Sequence, residues 1–574
     1  MKSVRQSAVI RIRIITGLVL FLSLILIGRL YQIQIVQHDL FYNRAQQQYV
    51  YTVQDLYTRG DIYFSTKSDE QVSAATILRG YLLSIDPSRI EDVEGTYAAL
   101  NSVYPLDQDL FLLRVGKKER TYYEIAQELS EDEADAIAAL GLTGVQLYRD
   151  QWRYYPGDDL AARSIGFVGR TENSNTLTGR YGLERYYEEV LSREDSRMSI
   201  NLFAEIFTNL GSIIFDNTES RTGDIVTTIE PTVARMLDRE LQKTQEEWGS
   251  AFTGGIIINP KTGAIYAMNV VPTFDLNHRT GATIEDFKNP LVEDVYEMGS
   301  IIKPLTVAAG LDSGAIVPES VYDDPGCVEL NEFTFCNYDG RSRGVVPMQE
   351  ILNQSLNTGV AFIVDTMGKN KFREYFKALK LGSETGIDLP NETYGLVANL
   401  DSPRDIEYAT ASFGQGIALT PIATVRALST LGNGGKLVTP HIVKRIEYQD
   451  GSSKDVLFPE GDQVFTEDTS TTISRMLTTV VDDALRNGKV KLDNYSIAAK
   501  TGTAQIADRE NGGYYEDKFL HSFFGYFPSY DPEFLVFLYT VEPKQVRYAS
   551  ETLTDPFMEI TKFLINYYNV PPDR

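Results

Sequence analysis

The second half of the sequence predicts an α/β (α+β) fold with a mainly antiparallel sheet covered by helices. Residues 254–271 have the sequence GGIIINPKTGAIYAMNVV, two strand-like runs joined by a turn, which indicates a β-hairpin. Three further strand-like runs come late in the chain, at 496–502, 521–528 and 534–543. A helix-like segment at 555–568 follows them and can cover the sheet. Strands at both ends of a helical middle section are typical of this class.

At 574 residues, the chain is long enough for about two to four domains. The polar, turn-rich segment FDNTESRTGD indicates a boundary near residue 220. We therefore predict a mixed domain of helices and strands over residues 37–220 and a second domain over residues 221–574. Within the first, residues 121–140 show a helical pattern with acidic side chains on an exposed face.

The composition limits the kinds of partner and cofactor. A net charge of −25 argues against nucleic acid as the main partner, because phosphate binding requires a basic surface. With four His and two Cys, and no H-E-x-x-H pattern, neither a metal site nor any other cofactor is predicted. Cys327 and Cys336 lie in a Gly/Asn/Asp-rich stretch, where they either form a surface disulfide or remain two thiols.

The N-terminus predicts a membrane anchor. Positive charges occur at Lys2, Arg5, Arg11 and Arg13. They precede an uncharged, mostly apolar run, IITGLVLFLSLILIG, whose apolar trend continues towards residue 36. No small-x-small cleavage site follows, so an uncleaved anchor is favoured over a signal peptide. We predict a cytoplasmic tail over 1–13, a single transmembrane helix over 14–36, and the rest of the chain outside the membrane.

Ser300 and Lys303 form the pattern S-x-x-K within YEMGSIIKPLTVAAGL. Residues three apart on a helix share a face, so the lysine amine can reach the serine hydroxyl. Pro304 is best tolerated at a helix start, which places the Ser300 hydroxyl near the positive end of the helix dipole. A desolvated Lys303 can then act as a base for Ser300. Taken alone, so short a pattern is more often a coincidence on a surface.

Two further patterns follow in the chain. Ser355 and Asn357, in ILNQSLNTGV, place a hydroxyl and an amide where they can relay a proton and bind a peptide amide. The sequence KTGT at 500–503 combines a glycine, which lets a substrate backbone approach a strand closely, with a lysine and hydroxyls that suit a carboxylate. S-I-N at 199–201 and K-T-G at 261–263 match the same patterns, but both precede Ser300.

The order S-x-x-K, S-x-N, K-T-G is the order found in penicillin-binding proteins and β-lactamases. Other blocks extend the likeness along most of the chain: RGDI at 59–62, YYPGDDLAARSIGFVG at 154–169, GRYGLERYYEEVL at 179–191, and ATASFGQGIALTPIA after the second motif. Together they resemble the class B penicillin-binding proteins, which are monofunctional peptidoglycan D,D-transpeptidases. The resemblance implies a serine transpeptidase domain of β-lactamase-like fold over 221–574 and a pedestal (dimerisation-type) domain over 37–220.

The resemblance also implies catalytic roles. Ser300 would be the nucleophile that attacks the D-Ala–D-Ala carbonyl of a stem peptide, and Lys303 would take its proton. Ser355 would carry a proton to the departing D-Ala, and Asn357 would hold the peptide amide. β-Lactams, which mimic the substrate, would trap Ser300 as a long-lived ester.

For the third motif, the resemblance implies substrate binding. The backbone N–H groups of Ser300 and Thr503 would form the oxyanion hole, typically a large electrostatic contribution. Lys500, Thr501 and Thr503 would bind the substrate carboxylate, with Gly502 beside them on the same strand.

The chain departs from the family pattern at two positions near these motifs. Met298 stands where proline usually precedes Gly-Ser, and Ala499 stands where glycine usually precedes K-T-G. Both changes concern the backbone next to the predicted site. Gly340–Gly344 matches the G-x-S-x-G pattern of hydrolases, but its flanks predict a loop rather than the required strand and helix.

Other functions fit the sequence less well. A bifunctional enzyme would need paired acids of a glycosyltransferase domain before residue 220, and a β-lactam sensor would need several membrane spans. A non-catalytic scaffold is disfavoured by the three intact motifs. The segment ASFGQGIALTP resembles the division-specific branch of the family, with the elongation branch as the alternative and a sporulation role open. Expected partners are stem peptides, β-lactams, the membrane, a polytopic glycosyltransferase and other cell-wall machinery.

Overall fold

The computed structural model describes residues 58–171, 174–193, 222–508 and 511–574, with the isolated positions 17, 21 and 29. These residues form two compact units, a smaller one of residues 78–152 with the positions up to 58, and a larger one of residues 59–77 and 153–574. No helix in the described part combines the length and apolar character that crossing a bilayer requires. The predicted anchor at 14–36 lies outside the described residues, apart from those isolated positions.

The strands, in chain order, are β1 Thr58–Arg59, β2 Ile62–Ser65, β3 Gln71–Ile85, β4 Tyr123–Leu129, β5 Val145–Tyr154, β6 Val168–Thr171, β7 Ser174–Gly179, β8 Ser192–Arg193, β9 Gly223–Thr227, β10 Phe252–Ile258, β11 Ile265–Val271, β12 Val321–Asp324, β13 Cys327–Leu330, β14 Phe333–Cys336, β15 Gly344–Pro347, β16 Val443–Tyr448, β17 Ser453–Asp455, β18 Ala498–Ala507, β19 Tyr514–Phe527 and β20 Phe534–Val541.

The α-helices are α1 Val93–Asn101, α2 Gln108–Val115, α3 Glu131–Ala139, α4 Ala162–Ile165, α5 Gly182–Tyr186, α6 Glu188–Leu191, α7 Pro231–Trp248, α8 Ile284–Phe287, α9 Pro290–Glu293, α10 Lys303–Asp312, α11 Met348–Asn353, α12 Asn357–Met367, α13 Lys369–Ala378, α14 Asp405–Ser412, α15 Pro421–Ser429, α16 Glu467–Thr479, α17 Ala549–Thr552 and α18 Thr554–Tyr568.

In the smaller unit, the helices α1, α2 and α3 pack together with three strands, the second part of β3, β4 and β5. Its core consists of Leu83, Ile85, Ile90, Leu100, Phe111, Val115, Leu129 and Ile137. The predicted helix over 121–140 is wrong for its first half, because residues 123–129 form β4 and pair with β3 in an antiparallel ladder. The helix begins only after Ser130, whose side chain forms a capping box with Glu133.

The larger unit is built on a five-stranded sheet in the order β11-β10-β20-β19-β18. Every neighbouring pair is antiparallel, as the sequence predicted. The predicted hairpin at 254–271 is also present as β10 and β11. A second sheet of this unit joins β17, β16, β9, β2 and the first part of β3.

Helices cover both faces of the five-stranded sheet. Successive side chains of β19 point to opposite faces, as in any strand. On one face, the ring of Phe523 stacks on Phe557 of α18. On the other face, Tyr526 forms a hydrogen bond with Ser474 of α16, and Ser522 donates a hydrogen bond to the backbone that leads into α10. The turn that carries Ser300 and the side chain of Lys500, which pairs with Phe524, lie on this second face.

Between α10 and α11, the chain forms two small antiparallel ladders, β12 with β15 and β13 with β14. A disulfide bond joins Cys327 of β13 to Cys336 of β14, which face each other in the ladder. The sequence left open whether these cysteines are bonded, and in the structure they are. Residues 337–343, which include most of the G-x-S-x-G match, form a loop in agreement with the sequence prediction.

Candidate active site

Ser300 lies in a short 3₁₀ turn, Gly299–Ile302, that continues directly into α10. Pro304 occupies the first turn of that helix, where a missing N–H costs nothing. Gly299 has φ +63°, and a Cβ there would lie 2.9 Å from the Thr503 carbonyl oxygen. Glycine is therefore required before Ser300 by both conformation and close approach. The serine is half-buried, at a helix start that faces β18.

Lys303 is completely buried beneath the cleft. Its Nζ donates to the Ser355 carbonyl at 2.5 Å and to Ser355 Oγ at 3.2 Å. Burial, and secondarily the charge of Lys500, hold the Lys303 pKa well below its usual range. In the part of the chain that is described, the amine is hydrogen-bonded to Ser355 rather than to Ser300.

Ser355 sits in the turn between α11 and α12 with φ +56°, an uncommon conformation for a residue with a side chain. Its Oγ receives hydrogen bonds from two amines, Lys303 at 3.2 Å and Lys500 at 3.0 Å. A left-handed residue of this kind costs about 1–3 kcal/mol and is common at functional sites. The turn thus points one hydroxyl at both lysines.

Lys500 reaches Ser355 from β18, on the other side of the cleft. It is 4% exposed, and its Nζ also donates to the Thr501 carbonyl at 3.0 Å. Burial lowers the pKa of Lys500 to about 7, because the charged amine loses its water. Both lysines are thereby poised to change protonation state far below the pH at which exposed lysines do.

Asn357 is the first residue of α12 and contacts the cystine hairpin. Its Nδ2 donates to the Cys336 carbonyl at 2.8 Å, which fixes β14 against the start of the helix. Thr501 and Thr503 alternate along β18 with the buried Gly502. Thr503 Oγ1 accepts a hydrogen bond from the Ala549 N–H at 3.1 Å.

Gly502 is the point of closest contact between β18 and the turn that carries Ser300. A Cβ at this position would lie 2.8 Å from the Met298 carbonyl oxygen, 3.0 Å from the Ile301 nitrogen and 2.4 Å from Ser522 Oγ. Since two of these neighbours are backbone atoms, no side chain fits without moving the Ser300 turn.

The two departures from the family pattern are both accommodated. Met298 is 1% exposed in the core, and its carbonyl accepts a hydrogen bond from Ser522 Oγ at 2.8 Å. Ala499 pairs with Gly525 of β19. A Cβ on Gly525 would lie 2.8 Å from that of Ala499, so a glycine on the neighbouring strand makes room for the alanine.

Three positioning residues were not identified from the sequence. Ser522 ties β19 to the backbone before Ser300. The buried Asp324 accepts hydrogen bonds from Thr358 Oγ1 at 2.6 Å and Asn337 Nδ2 at 2.9 Å, and so fixes the start of α12. His521 pairs with Thr503 in the sheet, and burial lowers its pKa to about 4. Their roles depend on contacts distant in sequence, and no local pattern signals them.

The structure brings the predicted site residues together. A cleft of about 790 Å³ is lined by Ser300, Ser355, Asn357, Lys500, Thr501 and Thr503. Lys303 and Gly502 do not line it but lie buried directly beneath. Among the described residues, no group of three or more His, Cys, Asp or Glu side chains is arranged to hold a metal ion.

Comparison with known proteins agrees with this geometry. Residues 253–562 match the penicillin-binding protein transpeptidase domain, and residues 41–206 match the penicillin-binding protein dimerisation domain. The transpeptidase match alone covers more than half of the chain. The chain therefore belongs to the penicillin-binding protein transpeptidase family, with the class B arrangement of domains, and the family predicted from the motifs is confirmed.

Relatives span most of the chain. Stage V sporulation protein D of Bacillus subtilis is 29% identical over 498 residues, covering 85% of this chain and 75% of that protein. Peptidoglycan D,D-transpeptidase FtsI of Escherichia coli K12 is 25% identical over 574 residues, covering 98% of this chain and 92% of that protein. The crystal structure of penicillin-binding protein 2X from Streptococcus thermophilus, 20% identical, superposes with a TM-score of 0.71 over 90% of this chain and 80% of that one. That likeness shows the fold.

Proposed function

We propose that this protein is a peptidoglycan D,D-transpeptidase that cross-links stem peptides through an acyl-Ser300 intermediate. The observation that carries the proposal is the convergence of two buried lysines on Ser355 Oγ, in the cleft that Ser300 lines. Amines with lowered pKa values can accept and return protons near neutral pH, which acyl transfer requires. The names of the relatives, among them FtsI, support the same activity.

In the first step, neutral Lys303 takes the proton of Ser300 as Oγ attacks the carbonyl carbon of the penultimate D-Ala. Burial favours the uncharged amine and so supports this role. A C–O bond forms while the carbonyl electrons move to oxygen. The N–H groups of Ser300 and Thr503 stabilise the resulting oxyanion.

In the second step, the tetrahedral intermediate collapses. The C–N bond breaks, its electron pair stays on the nitrogen of the terminal D-Ala, and that nitrogen receives a proton through Ser355. The Ser355 hydroxyl is suited to this transfer because it is hydrogen-bonded to both amines at 3.2 and 3.0 Å. D-Ala leaves, and the remaining peptide is held as an ester on Ser300.

In the third step, the amine of a neighbouring stem peptide attacks the ester. A new amide bond forms, the ester C–O bond breaks, and the proton that the attacking amine loses returns to Ser300 Oγ. With a β-lactam, ring opening forms the same ester, but the cleaved nitrogen remains tethered to the ligand and blocks the approach of the amine. The ester is therefore long-lived, which accounts for inhibition by this class of compound.

The donor peptide is positioned from two sides. Asn357 binds its amide, and Lys500, Thr501 and Thr503 bind its terminal carboxylate. A protonated Lys500 attracts the carboxylate, and the two threonine hydroxyls add hydrogen bonds. Gly502 allows the peptide backbone and the Ser300 turn to approach β18 closely.

Labelling of the purified full chain with a fluorescent penicillin tests this mechanism. Wild type and a Ser313→Ala control, which changes a serine at the other end of α10, should both become labelled. Ser300→Ala should remain unlabelled, and mass spectrometry should place the adduct on Ser300 in the wild type. An unlabelled wild type, or equal labelling of Ser300→Ala, would contradict the proposal.

The wider role is inferred from the sequence and its relatives. We propose an uncleaved anchor at 14–36, a pedestal over 37–220 and a transpeptidase domain over 221–574 outside the cytoplasmic membrane. Division is favoured over elongation by ASFGQGIALTP and by relatives named FtsI, and a polytopic glycosyltransferase is the proposed partner. A fluorescently tagged copy should collect at the septum, whereas an even sidewall signal would assign it to elongation.

A further inference from the structure

Helix α2 of the smaller unit has apolar side chains on its outer side as well as on its inner side. Phe111 and Val115 are 1% and 2% exposed and belong to the core of the unit. Leu110 and Leu113 are 40% and 60% exposed, and Leu112 between them is 42% exposed. A helix that is apolar all round is usually covered on all sides, yet these leucines face solvent. The outer side of α2 is therefore suited to a contact outside the chain.

Four cations follow directly after these leucines. Arg114 lies in the last turn of α2, and the exposed Lys117, Lys118 and Arg120 lie just beyond its end. In the part of the chain that the structure describes, none of the four lies within 4 Å of a carboxylate. The whole chain has a net charge of −25, whereas Glu119 is the one acid within this basic run. The segment is therefore a local site of positive charge on an acidic protein.

Helical spacing brings the leucines and the cations to one face. Gly116 keeps helical backbone angles beyond the end of α2, and the Lys117 N–H donates to the Arg114 carbonyl at 3.2 Å, so the turn continues. Residues three or four apart then lie side by side. The acids Asp107 and Asp109 lie at the opposite end of the helix, where Asp107 forms the cap. The leucine–lysine face consists of Leu110, Leu113, Arg114, Lys117 and Lys118.

We propose that the leucine–lysine face docks on the surface of a membrane that contains anionic lipids. The leucine side chains enter the boundary between head groups and acyl chains, and the cations remain at the level of the phosphates. Leucines beside lysine and arginine are the composition of helices that lie on membranes, and each cation adds attraction to an anionic surface. This contact goes beyond the proposed transpeptidase activity and is separate from the predicted anchor at 14–36.

The composition of the face favours lipid over a protein partner. Protein interfaces are enriched in aromatic side chains that fill pockets of the partner, and they are depleted in lysine. The one aromatic residue of the segment 108–120 is Phe111, which is buried in the core. The outer side thus offers aliphatic side chains and flexible cations, which suit a layer of head groups.

A fluorescent probe on the face tests the contact in the full chain. Leu113→Cys offers a single thiol for acrylodan, because both native cysteines are joined in a disulfide. The labelled protein is placed in nanodiscs of phosphatidylcholine alone or with about 30% phosphatidylglycerol, which supplies the anionic surface. The constant for quenching of the probe by acrylamide should be about threefold lower in the anionic discs, since lipid shields the probe there. The same probe on Leu457→Cys, at a position 86% exposed on the larger unit, should be quenched equally in both.

Charge reversal tests the role of the cations. Lys117→Glu/Lys118→Glu should remove the difference between the two kinds of disc. Lys243→Glu/Lys489→Glu, which reverses two exposed cations of the larger unit, should preserve it. Penicillin labelling of Ser300 reports that each variant is folded, and it tests the proposed function separately.

Three results would overturn the proposal. The first is an equal quenching constant in the two kinds of disc, and the second is shielding that Lys117→Glu/Lys118→Glu retains. The third is shielding in detergent that rises with protein concentration, which would assign the face to a second copy of the chain. A chain that does not enter the discs would contradict the predicted anchor alone, and vesicles of the same two compositions would then replace the discs.

Discussion

Lys500 Nζ donates a 3.0 Å hydrogen bond to Ser355 Oγ, the oxygen that Lys303 also contacts from below. Both amines are buried, and the charge of Lys500 is one of the causes that lower the Lys303 pKa. Two positive charges so close in a dry site repel each other, which disfavours the state in which both amines are charged. Ser355 is therefore hydrogen-bonded to two amines that lose a proton more readily than exposed lysines do, as its proposed proton transfer requires.

Acylation by benzylpenicillin should slow as the pH rises through about 7. Lys500, whose pKa is about 7, is charged below that pH and neutral above it, so attraction for the ligand carboxylate is lost on the alkaline side. The second-order rate constant, which reports groups of the free enzyme, should fall about tenfold or more.

Lys500→Arg provides the control for this pH dependence. Arginine keeps its charge in proteins, so the alkaline fall should disappear even if the overall rate is lower. A wild-type profile that stays flat between about pH 6 and 9 would contradict the assignment of the carboxylate to Lys500.

Ser522→Ala should impair acylation more than its effect on stability explains. The change leaves the buried Met298 carbonyl without its 2.8 Å hydrogen bond, at a cost of about 1–3 kcal/mol, and frees the turn that carries Ser300. We expect a rate constant about tenfold lower for the folded fraction. Stopped-flow acylation and thermal melts measure the two effects.

Ser474→Ala is matched to Ser522→Ala, because Ser474 is also a buried serine, hydrogen-bonded to Tyr526 at 2.8 Å on the same face of the sheet. It should lower the melting temperature without slowing acylation of the folded protein. Similar rate losses in the two variants would show that Ser522 does not position the nucleophile.

Gly502→Ala should abolish penicillin labelling. The new Cβ would lie 2.8 Å from the Met298 carbonyl and 3.0 Å from the Ile301 nitrogen, so the Ser300 turn must move by several tenths of an ångström or more. Misplacements of about 1 Å can cost 100-fold in rate. Gly116→Ala is the comparison, since its Cβ would meet atoms only at 3.4 Å and beyond, and it should label normally. Normal labelling of Gly502→Ala would refute the close-approach argument.

Glu184→Gln should destabilise the larger unit strongly. Glu184 is fully buried between Arg59 and Arg153, with contacts of 2.5 and 2.6 Å. Loss of its charge leaves excess positive charge in the core, at a cost of about 3–5 kcal/mol. Chemical denaturation should show this loss, while the exposed Glu189→Gln in the same segment should change stability by less than about 0.5 kcal/mol. Equal stability of the two variants would contradict a stabilising role for the buried charge of Glu184.

The sequence predicted the parts of the site that depend on the order of the three motifs along the chain and on local backbone geometry. The position of Ser300 at a helix start follows from the backbone preference of the nearby Pro304. The strand that carries Lys500 follows from the apolar residues around it near the end of the chain. Contact between Lys303 and the Ser355 carbonyl could not be predicted, because it depends on the left-handed conformation at Ser355.

Contacts that depend on the register of the sheet could not be predicted from the sequence either. Ser522 acts on Met298 only because β19 pairs with β18 so that Ser522 faces Gly502. The first half of 121–140 was predicted as helix because its polar and apolar residues fit a helical period, yet pairing with β3 makes it a strand. Tertiary pairing overrides local propensity in such segments.

The strand that carries Lys500 and Thr503 is the last of its sheet, since β18 has β19 as its one neighbour in the ladder order of the described strands. An edge strand offers hydrogen-bonding groups along its outer side, and proteins normally protect such an edge from aggregation. Here the edge borders the cleft. An extended peptide that enters can add to the sheet as a sixth strand, held by main-chain bonds that are indifferent to its side chains. Binding of a stem peptide can thus begin with main-chain hydrogen bonds, before any side chain of the peptide contributes to recognition.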